Sequence, residues 1–182
     1  MKRNPLAWLG TLAVAGAFVA TAAGDPSIDA TKSSIVATFK QENVPVDASF
    51  KSFNGRVDYD PTKPNASKAA IEVTTSSFDM GSADYNSEVK NKSWLDSGTY
   101  PKASFISTSV KPGVAGHFDA TGTLTLKGKS QTLTAPVTVT KTSTATVFDG
   151  TIEISRSYFG IGDAEWKDTV DDKVRIKFHL VE

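Results

Sequence analysis

The sequence predicts an all-β domain of about eight antiparallel strands. Three observations lead there. From Tyr100 to Val139, polar and apolar residues alternate with period two over successive runs, the mark of strands with one buried and one wet face. Turn signals separate the runs: Asp60-Pro61-Thr62-Lys63-Pro64-Asn65, and Gly128-Lys129, which suits a tight hairpin with Gly at its first central position. No sustained helical period interrupts them. Asp/Glu, Cys and paired His are almost absent from the central stretch, so it reads as a wall and not as a catalytic constellation.

The elements follow in order. Met1 to Gly24 is expected to be a cleaved signal peptide. Lys2 and Arg3 start it, Leu6 to Val19 is apolar, and Ala20-Thr21-Ala22 offers a small-residue cleavage site. The apolar run is shorter than the roughly 20 residues a spanning helix needs. Residues 25–182 then form one domain. Ser34 to Glu42 sets Ile35, Ala37 and Phe39 on one face, as a first strand. Val44-Pro45-Val46-Asp47 reads as a break, because proline cannot donate to a ladder. Phe50 and Phe53 suggest a helical turn. Gly55 to Tyr59 and Lys68 to Thr75 are the next strands.

Asp84 to Asp96 departs from alternation and permits a short helix, with Asp84 as its N-cap and Val89, Trp94 and Leu95 facing the end of the barrel. Strands follow at Ala103 to Val110, Gly116 to Leu126, Gln131 to Thr140, Val147 to Ser155 and Asp172 to Val181. This pattern fits a closed up-and-down barrel or a two-sheet sandwich. Periodicity identifies the buried face, not what fills the space behind it.

Composition excludes several functions. The chain has 20 Lys+Arg and 20 Asp+Glu, and losing Lys2 and Arg3 with the leader leaves a net charge of −2. Such a surface lacks the basic field that nucleic acid requires. With no cysteine, thiol chemistry and zinc knuckles are absent, and an exported domain must rest on its core. His117 and His179 both sit at polar strand positions, without the spacing of a metal site. No metal, cofactor or catalytic residue is expected. Asp163, Glu165 and Asp171-Asp172 read as acidic turn residues, although a barrel enzyme would draw on Arg156, Asp163 or Glu165. Arg156 continues the parity of Ile152 and Ile154. It would meet either an anionic head group at an inner rim or an ion-pair partner in Asp163 or Glu165.

Five stretches together resemble the YceI-like proteins, the polyisoprenoid-binding, lipocalin-like family. They are F-K-S-F-N-G-R-V-D-Y-D-P (Phe50 to Pro61), W-L-D-S-G-T-Y-P-K-A-S-F-I-S-T (Trp94 to Thr108), A-T-G-T-L-T-L-K-G (Ala120 to Gly128), I-S-R-S-Y-F-G-I-G (Ile154 to Gly162) and D-D-K-V-R-I-K-F-H-L (Asp171 to Leu180). Their order and spacing span the chain after the leader. The resemblance implies an eight-stranded antiparallel lipocalin-like barrel with one or two short helices. It implies a periplasmic protein that encloses an isoprenoid lipid, such as a quinone or polyprenyl phosphate, for storage or transport, without catalysis.

Phe39, Ile71, Phe105, Phe118, Leu124, Ile152 and Ile154 are the expected lining, Arg156 the rim cation, and Trp94 and Trp166 the closure of one end. The Glu165-Trp166 pair is similar to a subgroup encoded beside membrane b-type cytochromes, which makes such a cytochrome the alternative partner of an interaction module. Many members carry a His in the first strand region and an R-D-x-H-L-like segment. Here those places read Lys40-Gln41-Glu42 and Asp84 to Val89, so polar contacts at the mouth differ.

Overall fold

A computed structural model describes residues 27–114 and 116–182 of the chain. The expected signal peptide lies outside them. The strands are β1 (Ser34–Gln41), β2 (Val44–Phe50), β3 (Phe53–Asp58), β4 (Lys68–Thr74), β5 (Phe78–Asp79), β6 (Lys102–Pro112), β7 (His117–Leu126), β8 (Lys129–Lys141), β9 (Thr146–Ser155) and β10 (Lys173–Val181). One short helix, α1 (Ala83–Glu88), joins β5 to β6.

Among the described residues every pairing is antiparallel, and from β6 to β10 each strand lies beside the next; β2 pairs with β5 and β3 with β4, so β2–β3 and β4–β5 run as two bent passes side by side. The first and last strands also pair: Ala37 of β1 faces Ile176 of β10 on one side and Ala48 of β2 on the other. Between β2 and β3 the path bends at Lys51 and Ser52, yet the ladder continues. Lys51 N–H donates to Ser77 O (3.1 Å), and Thr74 N–H to Ser52 O (2.9 Å). A single 3₁₀ turn at Thr75–Ser77 separates β4 from β5 in the same way. Ten strands thus make eight passes around a continuous ring of ladders. Eight passes leave an interior just wide enough for side chains or for one ligand.

The strand count differs from the expected eight because β2 and β5 were not anticipated. Pro45 does not break the chain's pairing but stands within β2, opposite Lys40. It is tolerated because only Ser49 and Phe50 of β2 have a second neighbour, so the proline lies on an open edge. Lys51 and Ser52 form a bend with no helical turn between Phe50 and Phe53. The helix is also shorter than expected. Its N-cap position is Ser82, not Asp84, and Val89, Trp94 and Leu95 follow it in turns, with Val89 and Leu95 buried. The β7–β8 turn is Lys127-Gly128, one residue earlier than expected. Both have positive φ (47° and 73°), the geometry of a type I′ turn, and Glu42-Asn43 (51° and 65°) makes the β1–β2 turn likewise.

On β6 the register shifts between Ser107 and Ser109. The extra residue carries the inward parity of Ala103 and Phe105 over to Val110, which is buried, while Ile106 stays exposed. Gly150 of β9 shows how tightly the wall is packed. It faces Phe178, and a Cβ there would press into the Phe178 ring and lie 2.7 Å from Pro136 O. Gly150→Ala is expected to destabilise the fold by about 1–3 kcal/mol, read as a lower urea midpoint at unchanged m-value.

Candidate functional site

Inward positions around the ring mix bulky residues with small ones such as Ala37, Ala103, Ala120 and Ala135. Two cavities of about 170 Å³ each result, following one another along the barrel and sharing Phe50, Leu126 and Ile176. Each has room for on the order of ten water molecules, but the walls are almost wholly apolar, and water needs polar partners to stay. The first chamber lies toward the end where β6–β7 and β8–β9 turn. Tyr59 closes that end, edge-on to Phe118 (centroids 5.2 Å apart) and to Phe148 (5.7 Å). Burial pushes the Tyr59 hydroxyl above the usual phenol range. The second chamber lies under α1 and the β9–β10 connection, residues 156–172.

Of the residues singled out from sequence, Ile71, Phe105, Phe118, Leu124 and Ile152 stand in the wall of the first chamber. Phe39, Trp94, Ile154, Arg156 and Trp166 stand in the wall of the second. The two tryptophan rings meet there, with centroids 5.2 Å apart and planes tilted by 56°. Sequence reasoning had not put Met80, Val170 or Gln41 into this chamber. Loop positions such as Met80 and Val170 carry no periodicity to reveal a facing direction.

Arg156 is buried, and its guanidinium bonds to backbone carbonyls in place of the ion pair expected with Asp163 or Glu165. Its Nε donates to Val170 O (3.2 Å) and Asp171 O (3.1 Å). Nη1 donates to Ile161 O (2.9 Å) and Gly162 O (3.4 Å), and Nη2 to Trp166 O (3.0 Å) and Val170 O (2.7 Å). A guanidinium has five N–H donors, and these carbonyls occupy all of them. Asp163 and Glu165 are exposed; Asp163 instead accepts Glu165 N–H (3.1 Å) at the start of the 3₁₀ turn Ala164–Trp166. The trio Arg156, Asp163 and Glu165 is therefore not brought together in the cavity.

Lys127 plays a parallel part that sequence did not disclose, since a lysine in a hairpin turn looks like ordinary surface. Its ammonium donates to Lys92 O (2.8 Å) and Gly160 O (2.6 Å), and burial lowers its pKa. Gly162 N–H donates to Ser93 O (2.7 Å), and Glu42 N–H to Thr169 O (2.7 Å). Together these bonds clamp residues 89–98 and 156–172 onto the barrel end as one cap. Asp172 anchors its far edge: Ser157, by its hydroxyl first and its N–H (2.9 Å), holds the carboxyl below the usual carboxylate range.

Both histidines lie on the outer face. His117 Nδ1 is 3.2 Å from Thr138 Oγ1, and His179 Nδ1 is 2.7 Å from Asp149 Oδ1. Among the described residues no group of three or more His, Cys, Asp or Glu side chains is placed to hold a metal ion.

Residues 27–181 match the YceI-like domain family. A UPF0312 protein of Pseudomonas syringae pv. syringae is 31% identical over 133 residues, 69% of each chain. The protein YceI of Escherichia coli O157:H7 is 37% identical over 89 residues, 49% of this chain and 44% of that one. Among solved structures, Burkholderia cenocepacia BcnA shares 43% identity with a TM-score of 0.83, covering 85% of this chain and 99% of its own. A polyisoprenoid binding domain from Saccharophagus degradans, implicated in plant cell wall breakdown, has the same fold at 16% identity and a TM-score of 0.69, covering 85% and 95%.

Removing the guanidinium takes a donor from five backbone carbonyls, of which Trp166 O keeps the N–H groups of Thr169 and Val170. Arg156→Met is expected to cost at least about 3 kcal/mol in urea unfolding. Arg156→Lys should recover only part of that loss, because an ammonium has three donors and no planar fork.

Proposed function

The chain belongs to the YceI-like family, and from that premise we propose that it is a carrier or store for an isoprenoid lipid. The lipid tail lies along the two apolar chambers. The observation that carries this reading is the cavity itself: a closed ladder ring whose interior is hollow and nearly without polar groups. A barrel enzyme would need reacting groups in such a space, and the candidates are elsewhere or already bonded to backbone. The polyisoprenoid binding domain of the same fold supports the choice of ligand.

The physical drive is sufficient. Each methylene taken from water gains about 0.8 kcal/mol, so a tail of several prenyl units has a large gross tendency to enter. Ordering the tail and losing free translation offset much of it. Reversible binding follows, which is what a carrier requires. A barrel that sheaths the tail lets an insoluble molecule cross water between membranes.

Two experiments test the proposal. Organic extraction of the purified protein, followed by mass spectrometry, should release a prenyl lipid at near one per chain. Ala120→Phe, which fills the first chamber, should reduce that amount at least tenfold while circular dichroism stays that of a β-barrel. Failure to recover or to bind any prenyl lipid would contradict the reading. Export is tested by fractionation: a processed chain beginning near Asp25 belongs in the periplasm, and full-length chain held in the membrane would overturn that location.

A further inference from the structure

We propose that the chamber beneath α1 seats an uncharged, oxygen-bearing head group, held by the indole N–H of Trp94. This rests on the lipid reading and narrows it. Trp94 Nε1 is buried and has no hydrogen-bond partner. An indole N–H can only donate, and a buried donor left unpaired is costly. The group therefore calls for an acceptor. The six-membered edge of the ring is already packed: a Cβ on Gly162 would lie 3.2 Å from Cζ3 and 3.4 Å from Cη2. The N–H is on the other, pyrrole side of a residue that forms part of the chamber wall. Gln41 stands in the same wall, half-buried, and its side-chain amide makes no hydrogen bond among the described residues. It offers a second polar contact, as donor or acceptor.

Charge decides which head fits. The cation in this wall is Arg156, and its donors are all committed to carbonyls. Glu88 also lines the chamber, and its carboxylate accepts from Asn91 Nδ2 at 3.0 Å. A phosphate placed here would find no free guanidinium N–H, a carboxylate nearby and apolar surfaces around it, a setting that penalises an ion heavily. An alcohol or a quinone-type carbonyl needs one donor and carries no charge. Trp94 supplies that donor.

Three probes with one tail separate the outcomes: geranylgeraniol, geranylgeranyl phosphate and the same tail ending in a methyl group. Delipidated full-length protein should bind the alcohol more tightly than either of the others. On binding alcohol, but not hydrocarbon, the Trp94 indole N–H resonance should move downfield. Trp94→Phe should weaken the alcohol about tenfold more than it weakens the hydrocarbon. Equal weakening of both, no movement of the indole resonance, or tightest binding of the phosphate would overturn the proposal. The resonance is read on unsubstituted protein, so a variant that fails to fold does not remove the test. If hydrocarbon and alcohol both fail to bind, the lipid reading itself falls and this proposal with it; if hydrocarbon binds and the alcohol gains nothing, only the head-group assignment falls.

Discussion

Side-chain volume facing inward is too small to fill the ring, and this shortage governs everything else in the molecule. Eight passes fix the diameter through hydrogen-bond geometry, whatever the side chains are. At the inward positions stand Ala37, Ala48, Ala103 and Ala135, all buried, together with Gly122 and Gly150. The large rings do not compensate. Phe178 lies on Gly150 and Phe105 on Gly122, so close that a Cβ on either glycine would collide with the ring. Rings laid on glycines rest against the wall and leave the axis open. Protein interiors otherwise pack like organic crystals. A hollow of this kind gives up dispersion contacts that a filled core would have, and a guest molecule restores them.

The cap at the α1 end shows a second economy. Two cations, Arg156 and Lys127, are solvated by backbone carbonyls of the connections they hold. Irregular segments leave carbonyls without ladder partners, and buried carbonyls need donors. A guanidinium serves five at once. The result fastens two loops that carry little regular structure, and it brings Trp94 and Trp166 together over the chamber. Stability of the cap and shape of the second chamber thus depend on the same residue.

Much of this was legible in the sequence, and the rest was hidden for identifiable reasons. Alternation placed Ile35, Ala37 and Phe39 on one face, and the ladders agree. The parity of Arg156 with Ile154 correctly turned it inward, but its partners are carbonyls of Ile161 to Asp171, which no residue pattern announces. The bulge at β6 could not be read, because one extra residue in a run of Ser and Thr leaves no trace in polarity. Pro45 misled because tolerance of proline depends on which neighbour a strand lacks, a tertiary fact. Most important, alternation reports that a face is buried without reporting what it is buried against. The same pattern serves a sandwich, a filled barrel and a hollow one. Only the ring closure between β1 and β10, with the small residues counted at its inward positions, separates them.

The most direct test of the hollow barrel is a crystal structure of the protein as purified from cells, without added lipid. A hollow barrel holding a lipid tail gives one continuous, tail-shaped feature of electron density running through both chambers past Phe50, Leu126 and Ile176. An axis closed by the protein's own side chains meeting at van der Waals distance, with no space between them, would contradict it.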